Sequence, residues 1–332
     1  MKEPTLQKLI QDYFTHYLRA QKNVSPQTVS SYRDMFKIFF EFAKIRLKKT
    51  PSELSLDDFN AEMILEFLSW LEKHRGNIPK TRNIRLAGVR GFMSFVSFKV
   101  PSRAEQVSRI MSICRKREDT PMMCYLTVEE MRAVIDSVDQ TSFSGSRDFV
   151  LWSVMYNTGA RVSEALSMKK SDLKLDGRIG SVKIMGKGRK LREMPLWAST
   201  VKILRNWMAR PELAQTEMIF INRDGDPMTR SGVEDRLEMA VKIAQEVCPS
   251  LKNKNVSPHT IRHTTAMHLL KAGVKITVIA LWLGHASPKT THIYVEADIE
   301  MKEKALARLQ TPNVRSVRYK ANDSTLAFLQ SL

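Results

Sequence analysis

Apolar positions in the first hundred residues recur at helical spacing. Leu6, Leu9, Ile10, Tyr13, Phe14 and Tyr17 form one stripe over residues 5–21. Ser25-Pro26 joins an N-cap residue to a proline at the first helical position. It opens a second helix, with Val29, Tyr32, Phe36 and Phe39-Phe40 on one face, running to about Ile45. A third helix starts near Ser55 or Asp57 and carries Met63, Leu65, Phe67, Leu68 and Leu71 before Gly76. A fourth follows Pro79. Its buried side is expected to hold Ile84, Ala87-Gly88, Gly91-Phe92 and Phe95, and its other side Lys80, Arg82, Arg85 and Arg90. The pattern predicts a helical bundle with a basic outer face.

The periodicity then changes twice. Residues 99–121 are irregular apart from a short helix over 104–114, and Arg115-Lys116-Arg117-Glu118-Asp119-Thr120-Pro121 reads as a charged linker closed by proline. Helices resume with the capping box Thr127 to Glu130, an apolar helix from Ser146 to Asn157, and a re-entry at Arg161 to Leu166 after Thr158-Gly159-Ala160. Residues 178–196 switch to a shorter period: Ile179, Val182, Ile184 and Met185, then Gly186-Lys187-Gly188-Arg189, then Leu191 to Leu196. This predicts a β-hairpin or small antiparallel sheet with a basic turn. Further helices fit about 199–209, 231–247, 258–272 and 275–283, the last two ended by Gly273 and Gly284. Ser287-Pro288 opens another that carries Tyr294. The expectation is a mainly α chain with a small antiparallel β-sheet. It divides into a helical domain over 1–114, a linker at 115–121, a second domain over 122–310 and a tail at 311–332.

Composition narrows the class. A length of 332 residues with 43% apolar content supports about two cored domains. Cys114, Cys124 and Cys248 are scattered, which argues against a disulfide framework and for a reducing compartment. Neither a membrane-length apolar run nor a signal core is present, so a soluble, cytoplasmic protein is expected. Charge adds the partner. The net charge is +18, and residues 1–117 hold 22 basic against 11 acidic side chains. Such an excess suits a polyanion, above all nucleic acid.

Candidate chemistry gathers late in the chain. Ser257-Pro258 reads as a helix start, placing His259 in the first turn and Arg262 one turn on. Helix N-termini favour phosphate, and an imidazole with a guanidinium strengthens that preference. Together with Arg161, Lys187, His285 and Tyr294 this is a set able to transfer a phosphoryl group without metal or cofactor. Two arginines can hold the phosphate and its transition-state charge, a phenol can attack phosphorus, and a lysine can protonate the leaving oxygen. Each residue also has a structural reading. Arg161 can pair with Glu164, Lys187 can be solvated, Tyr294 can belong to a core, and His285 can complement a helix end. Other sites are excluded by spacing. Gly186-Lys187-Gly188 lacks the P-loop's first glycine position and its Ser/Thr, since Gly180 is one residue too distant. His259 and His263 have a zinc-helix spacing, but the glutamate is missing and Arg262 would repel the cation. His263 and His268 are therefore read as packing or capping residues, and no acidic cluster suggests a two-metal nuclease.

These stretches together resemble a known family. Thr158-Gly159-Ala160-Arg161-Val162-Ser163-Glu164-Ala165-Leu166, the turn Gly186 to Lys190, His259-Thr260-Ile261-Arg262-His263, Leu283-Gly284-His285 and Thr290-Thr291-His292-Ile293-Tyr294 resemble the tyrosine recombinases, the phage-integrase and Xer class. The resemblance covers roughly 125–310, and the N-terminal bundle is similar to that family's SAM-like core-binding domain. It implies that Tyr294 is the nucleophile forming a 3′-phosphotyrosine and that Arg161 and Arg262 clamp the scissile phosphate. It further implies that Lys187, with Lys190 as rival, protonates the 5′-oxygen, that His259 assists the tyrosine's proton transfer, and that His285 supports the phosphate. The partner implied is double-stranded DNA with paired sites, in the nucleoid, where a tetramer exchanges strands through a Holliday junction. The two domains would close as a clamp, with Lys80, Arg82, Arg85, Arg90, Arg189 and Lys190 as DNA contacts. Leu326, Phe328 and Leu329 of the tail are expected to dock on a neighbouring subunit or over this chain's own site. Integration, excision and transposition all fit. A type IB topoisomerase and a non-catalytic DNA-binding regulator are the competing readings.

Overall fold

The computed structural model describes residues 3–118, 123–176, 180–186, 188, 190–285, 291 and 294. The chain divides into two units, Met1–Pro121 and Met122–Leu332.

In the first unit, Thr5 caps α1 (Leu6–Asp12), which continues as a π-helical segment, Tyr13–Gln21. The Ser25 hydroxyl accepts from the Thr28 N–H and starts α2 (Pro26–Leu47) as expected. α3 (Ala61–Arg75) begins later than its sequence suggests, capped by Asn60. Asp58 instead closes a turn, accepting from the Ser55 N–H at 2.8 Å and from Lys49 at 2.7 Å. α4 (Pro79–Lys99) and α5 (Ala104–Met111) complete the unit. Its core interlocks Phe36, Phe39, Phe59, Phe67 and Phe92. Phe39 and Phe59 meet edge to face with centroids 4.7 Å apart, a geometry that adds to area burial.

The orientation of α4 corrects the sequence expectation. Ile84 and Ala87 are exposed, while Arg82 and Asn83 are buried with Leu86, Val89, Met93 and Val96. The reason is the segment following α5, which folds back along this face. The Arg82 guanidinium donates to the Cys114 carbonyl at 3.1 Å, and Arg90 donates to the carbonyls of Met111 and Ile113. The Asn83 amide donates to the Lys116 carbonyl and accepts from the Lys116 N–H. Irregular buried backbone must find partners, and α4 supplies them. Arg85 is half-buried and donates to the Ser31 carbonyl. Of the four cations expected outside, Lys80 alone is exposed.

The second unit opens with the capping box of Thr127 and Glu130 at α6 (Val128–Asp136). α7 (Phe143–Thr158) and α8 (Val162–Leu166) follow. Then comes an antiparallel sheet in the order β1 (Leu173–Lys174), β2 (Gly180–Met185), β3 (Leu191–Leu196), with Val182 opposite Met194. The two-residue β1 is too short for alternation to reveal. α9 (Ala198–Met208), α10 (Arg230–Val247), α11 (Pro258–Lys271) and α12 (Ile276–Leu283) surround a core containing Trp152, Met155, Trp207, Phe220 and Ile261. α11 is covered on several sides, with Thr264 and Thr265 as buried as Ala266 and Met267. Threonine is accommodated there because each hydroxyl donates to a carbonyl one turn back. Among the described residues no helix is long and apolar enough to cross a membrane. The helix expected after Ser287-Pro288 and the tail with Leu326, Phe328 and Leu329 lie outside the described residues, save Thr291 and Tyr294.

Candidate active site

α7 ends at Gly159, whose φ of +62° is left-handed. A Cβ there would also lie 2.6 Å from a Leu283 methyl, so glycine is required for both backbone and space. The tight turn aims the Gly159 carbonyl at α11, where Arg262 Nη1 donates to it at 2.7 Å. Arg262 Nη2 donates to the Leu283 carbonyl at 2.6 Å, at the C-terminus of α12. One guanidinium thus fastens three helices together. It is 1% exposed, and burial with the neighbouring Arg161 charge pushes its pKa down to about 10, still cationic at neutral pH.

Glu164, on α8, organises the remaining charge. Arg161 precedes that helix, and its Nη1 donates to Glu164 Oε1 at 2.6 Å. Arg192 on β3 donates to Glu164 Oε2 at 2.7 Å, and Arg262 lies 3.9 Å from that oxygen. Burial raises the carboxyl's pKa, but Arg192 and Arg161 outweigh it and hold the group below its ordinary range. Three guanidiniums therefore face one carboxylate, leaving two positive charges uncompensated among the described residues. Arg161 is the most open of the three, 31% exposed. Its expected pairing with Glu164 and a phosphate role are compatible, because a guanidinium has five donors.

Arg192 belongs to the same charge cluster, and motif reading overlooks it. It shares the inward face of β3 with Met194 and Leu196, so strand alternation carries the signal. Its guanidinium approaches two glycines. A Cβ on Gly186 would lie 3.1 Å from Nη1 and one on Gly284 3.2 Å. Nη1 and Nε are buried with no hydrogen-bond partner among the described residues.

The Ser257 cap and Pro258 start α11 as the sequence expects, with Thr260 completing a reciprocal pair. His259 is exposed in the first turn, its ring against that of His263 at 4.5 Å between centroids. His263 is half-buried between the rings of His259 and Tyr294. Its Nδ1 lies 3.1 Å from the Tyr294 hydroxyl. His268 does have a structural role, joining the Tyr156 hydroxyl to the Leu126 carbonyl. His285 holds Thr291 Oγ1 at 2.8 Å, with its ring parallel to that of Tyr294. Tyr294 itself is 1% exposed, packed with Met267, Leu270, Ile279 and Leu283. Burial pushes its phenol pKa up, although Arg262 and Arg161 pull the other way.

Arg161, Arg262, His263, His285 and Tyr294 thus belong to one neighbourhood. Lys187 and Arg189 lie outside the described residues. The turn that carries them is closed by the Gly186 N–H donating to the Lys190 carbonyl at 2.8 Å, and Lys190 is exposed. Two apolar grooves flank α6, one of about 510 Å³ against α10 and one of about 390 Å³ against α7 and α9, and neither is lined by these residues.

The chain and its fold have known counterparts. The model of a family described as "Phage integrase family" matches residues 124–301, and one described as "Phage integrase, N-terminal SAM-like domain" matches 11–97. The chain is 39% identical to y4rC of Sinorhizobium fredii, which carries the name integrase/recombinase, over all of this chain and 99% of that protein. It is 27% identical to the tyrosine recombinase XerC of Thermodesulfovibrio yellowstonii, covering 86% of this chain and 91% of that protein. Among solved structures, the XerH site-specific recombinase in a post-cleavage complex with a palindromic difH substrate is similar in fold. Its TM-score is 0.67 at 23% identity, with 86% of this chain and 81% of that chain covered.

Proposed function

The chain belongs to the phage integrase family of tyrosine recombinases, and from that premise we propose that it performs site-specific DNA recombination through this site. The observation that carries the reading is the convergence of Arg161 and Arg262 on Glu164 beside a buried Tyr294. The two guanidiniums bind the scissile phosphate and stabilise the charge gained as phosphorus becomes five-coordinate. Tyr294 Oη bonds to phosphorus, the bond to the 5′-oxygen breaks, and a 3′-phosphotyrosine retains the energy for rejoining. Lys187 protonates the departing 5′-oxygen, and His285 supports the phosphate. The freed 5′-hydroxyl of a second duplex reverses the step, and two rounds pass through a Holliday junction. The partner is double-stranded DNA with paired sites, with Lys80 and Lys190 as exposed phosphate contacts. The protein assembles as a tetramer on that DNA in the nucleoid, and the tail bearing Leu326, Phe328 and Leu329 docks on a neighbouring subunit.

Incubation with DNA carrying two target sites, cut from the sequences flanking its own gene, tests this reading. Exchanged products and a Tyr294-dependent covalent adduct on a nicked substrate are expected. Relaxation without exchange, or no adduct across such sites, would overturn it. Because guanidiniums supply the charge, cleavage should persist in EDTA.

A further inference from the structure

Arg192 touches more of the site than a partner for Glu164 needs to. Resting on the recombinase reading above, we infer that Arg192 is a positioning residue for protonation of the leaving group. Its guanidinium sets the base of the turn that carries Lys187 against the Glu164 cluster and the end of α12.

The side chain starts from a rigid place. Arg192 stands directly opposite buried Ile184 in the β2–β3 register, next to the pair of Met185 and Leu191 that ends the ladder. Beyond that pair the turn is closed by the Gly186 N–H donating to the Lys190 carbonyl at 2.8 Å. A group held on a paired strand is aimed more narrowly than one on a loop. From there the guanidinium meets three parts of the site. Nη2 donates to Glu164 Oε2 at 2.7 Å, and Glu164 also receives Arg161. Nη1 lies against Gly186, where a Cβ would be 3.1 Å from it. On its other side a Cβ on Gly284 would be 3.2 Å from Nη1 and 3.5 Å from Cδ and Cζ. Lys187 directly follows Gly186 in the chain, and His285 directly follows Gly284.

The two glycines carry different weight. Gly284 has a φ of +63°, which calls for glycine whatever the space around it. Gly186 has no left-handed φ, and the room for a Cβ there is taken by Arg192 Nη1 and by the Lys190 carbonyl, 3.3 Å away. Pairing with Glu164 occupies Nη2. Nη1 and Nε are buried with no hydrogen-bond partner among the described residues, which is unfavourable for a group serving only as a counter-charge. They form instead a flat plate between two backbone segments, one leading to Lys187 and one to His285.

Protonation of the 5′-oxygen requires the donor to be within hydrogen-bond reach as the P–O bond breaks. A tilt of the chain at Gly186 would move Lys187 with it. Arg192, wedged against Gly186 and tied to Glu164, opposes that tilt relative to the phosphate held by Arg161 and Arg262. Arg192 itself makes and breaks no covalent bond, and the proton taken by the 5′-oxygen comes from Lys187.

Single-turnover cleavage of nicked substrates with oxygen or sulfur at the bridging 5′ position tests the assignment, each rate being compared with wild type on the same substrate. The variants are Lys187→Ala, Arg192→Met, Arg192→Lys, Gly186→Ala and the Gly186→Ala/Arg192→Met pair. A sulfur leaving group needs no proton, so it should rescue Lys187→Ala. Arg192→Met removes the plate and should lose about 10²-fold with oxygen, the size expected for a displaced catalytic group. Sulfur should recover most of that loss. Arg192→Lys keeps a charge for Glu164 but no plate, and should likewise be slow with oxygen and rescued by sulfur. Gly186→Ala pushes on the guanidinium without removing it. It should show a smaller loss of the same kind, and the double variant should be no slower than Arg192→Met. Should Arg192→Met fail to fold, Arg192→Lys and Gly186→Ala decide. Oxygen cleavage by the folded Arg192 variants within about twofold of wild type would overturn the inference. So would a loss that sulfur leaves in place, since Arg192 would then act only through Glu164 on the phosphate clamp. A wild type that forms no Tyr294-dependent adduct would instead overturn the recombinase reading.

Discussion

In the first unit Arg82 and Arg90 donate to the carbonyls of Cys114, Met111 and Ile113, and the segment after α5 is held against α4 by those bonds. In the second unit Arg161, Arg192 and Arg262 surround the carboxylate of Glu164. Both groups are arginine clusters at the edge of a helical core, and composition does not distinguish them. The difference lies in what remains. Against neutral carbonyls a guanidinium is a structural strut whose unused donor, Arg82 Nε for example, is buried. Around a carboxylate the cations are oriented, and their excess charge stays available to an anion. Glu164 aligns the arginines and cancels only part of their charge. Positive charge alone therefore does not mark a nucleic-acid contact, but oriented, incompletely neutralised charge beside a nucleophile marks a phosphate site.

Substitutions at both clusters sharpen this contrast. The largest effect is expected at Arg262→Lys. A lysine cannot keep two carbonyls and a forked phosphate contact together, so single-turnover cleavage should fall by about 10²–10³-fold while DNA still binds. Arg82→Met should act on stability. Leaving the Cys114 carbonyl without its donor costs about 1–3 kcal/mol, readable by denaturant melting with hydrogen exchange resolving the first unit. The salt dependence of DNA binding should not change. A change in that slope with unaltered stability would mean that Arg82 contacts phosphate after all.

Acid separates the units next. His263 and His285 each have a pKa of about 4 in the fold, lowered by burial and by Arg262 among other neighbours. Unfolded, each takes its proton near the ordinary value of about 6.5. The unfolded chain thus binds more protons between those values, so stability of the second unit should fall as pH drops from about 6.5 towards about 4. In the first unit the histidines, His16 and His74, are exposed. Hydrogen exchange at pH 7 and 5 checks this, and equal loss in both units would contradict it. The smallest effect belongs to Lys80→Ala, which should lower the slope of log affinity against log salt by about one and leave stability unchanged.

Much of the architecture could be read in advance, for local reasons. Thr127, Ser257-Pro258 and Gly284 are caps whose geometry depends on nearest neighbours, and the hairpin's alternation fixes its register. The failures are long-range. Ile84 and Ala87 fit an apolar stripe, but that face of α4 is exposed because the opposite face bonds residues some thirty positions onward. Arg192 reaches Glu164 across 28 residues, and His263 meets Tyr294 across 31. No periodicity records such pairings. The sequence places Arg161, Arg262 and Tyr294 in motifs that follow a family order along the chain, and the structure brings the three into one neighbourhood.

In the proposed mechanism Tyr294 attacks a phosphate held by this incompletely neutralised cluster. Mapping the covalent adduct tests it most directly: trap wild-type protein on a nicked target site, digest with trypsin, and sequence the DNA-linked peptide. A single linkage is expected, from Tyr294 to a 3′-phosphate, with a free 5′-hydroxyl on the released strand and a yield about 10²–10³-fold lower in Arg262→Lys. Attachment at another residue, a 5′-phosphate linkage, or strand scission with no protein attached would contradict it.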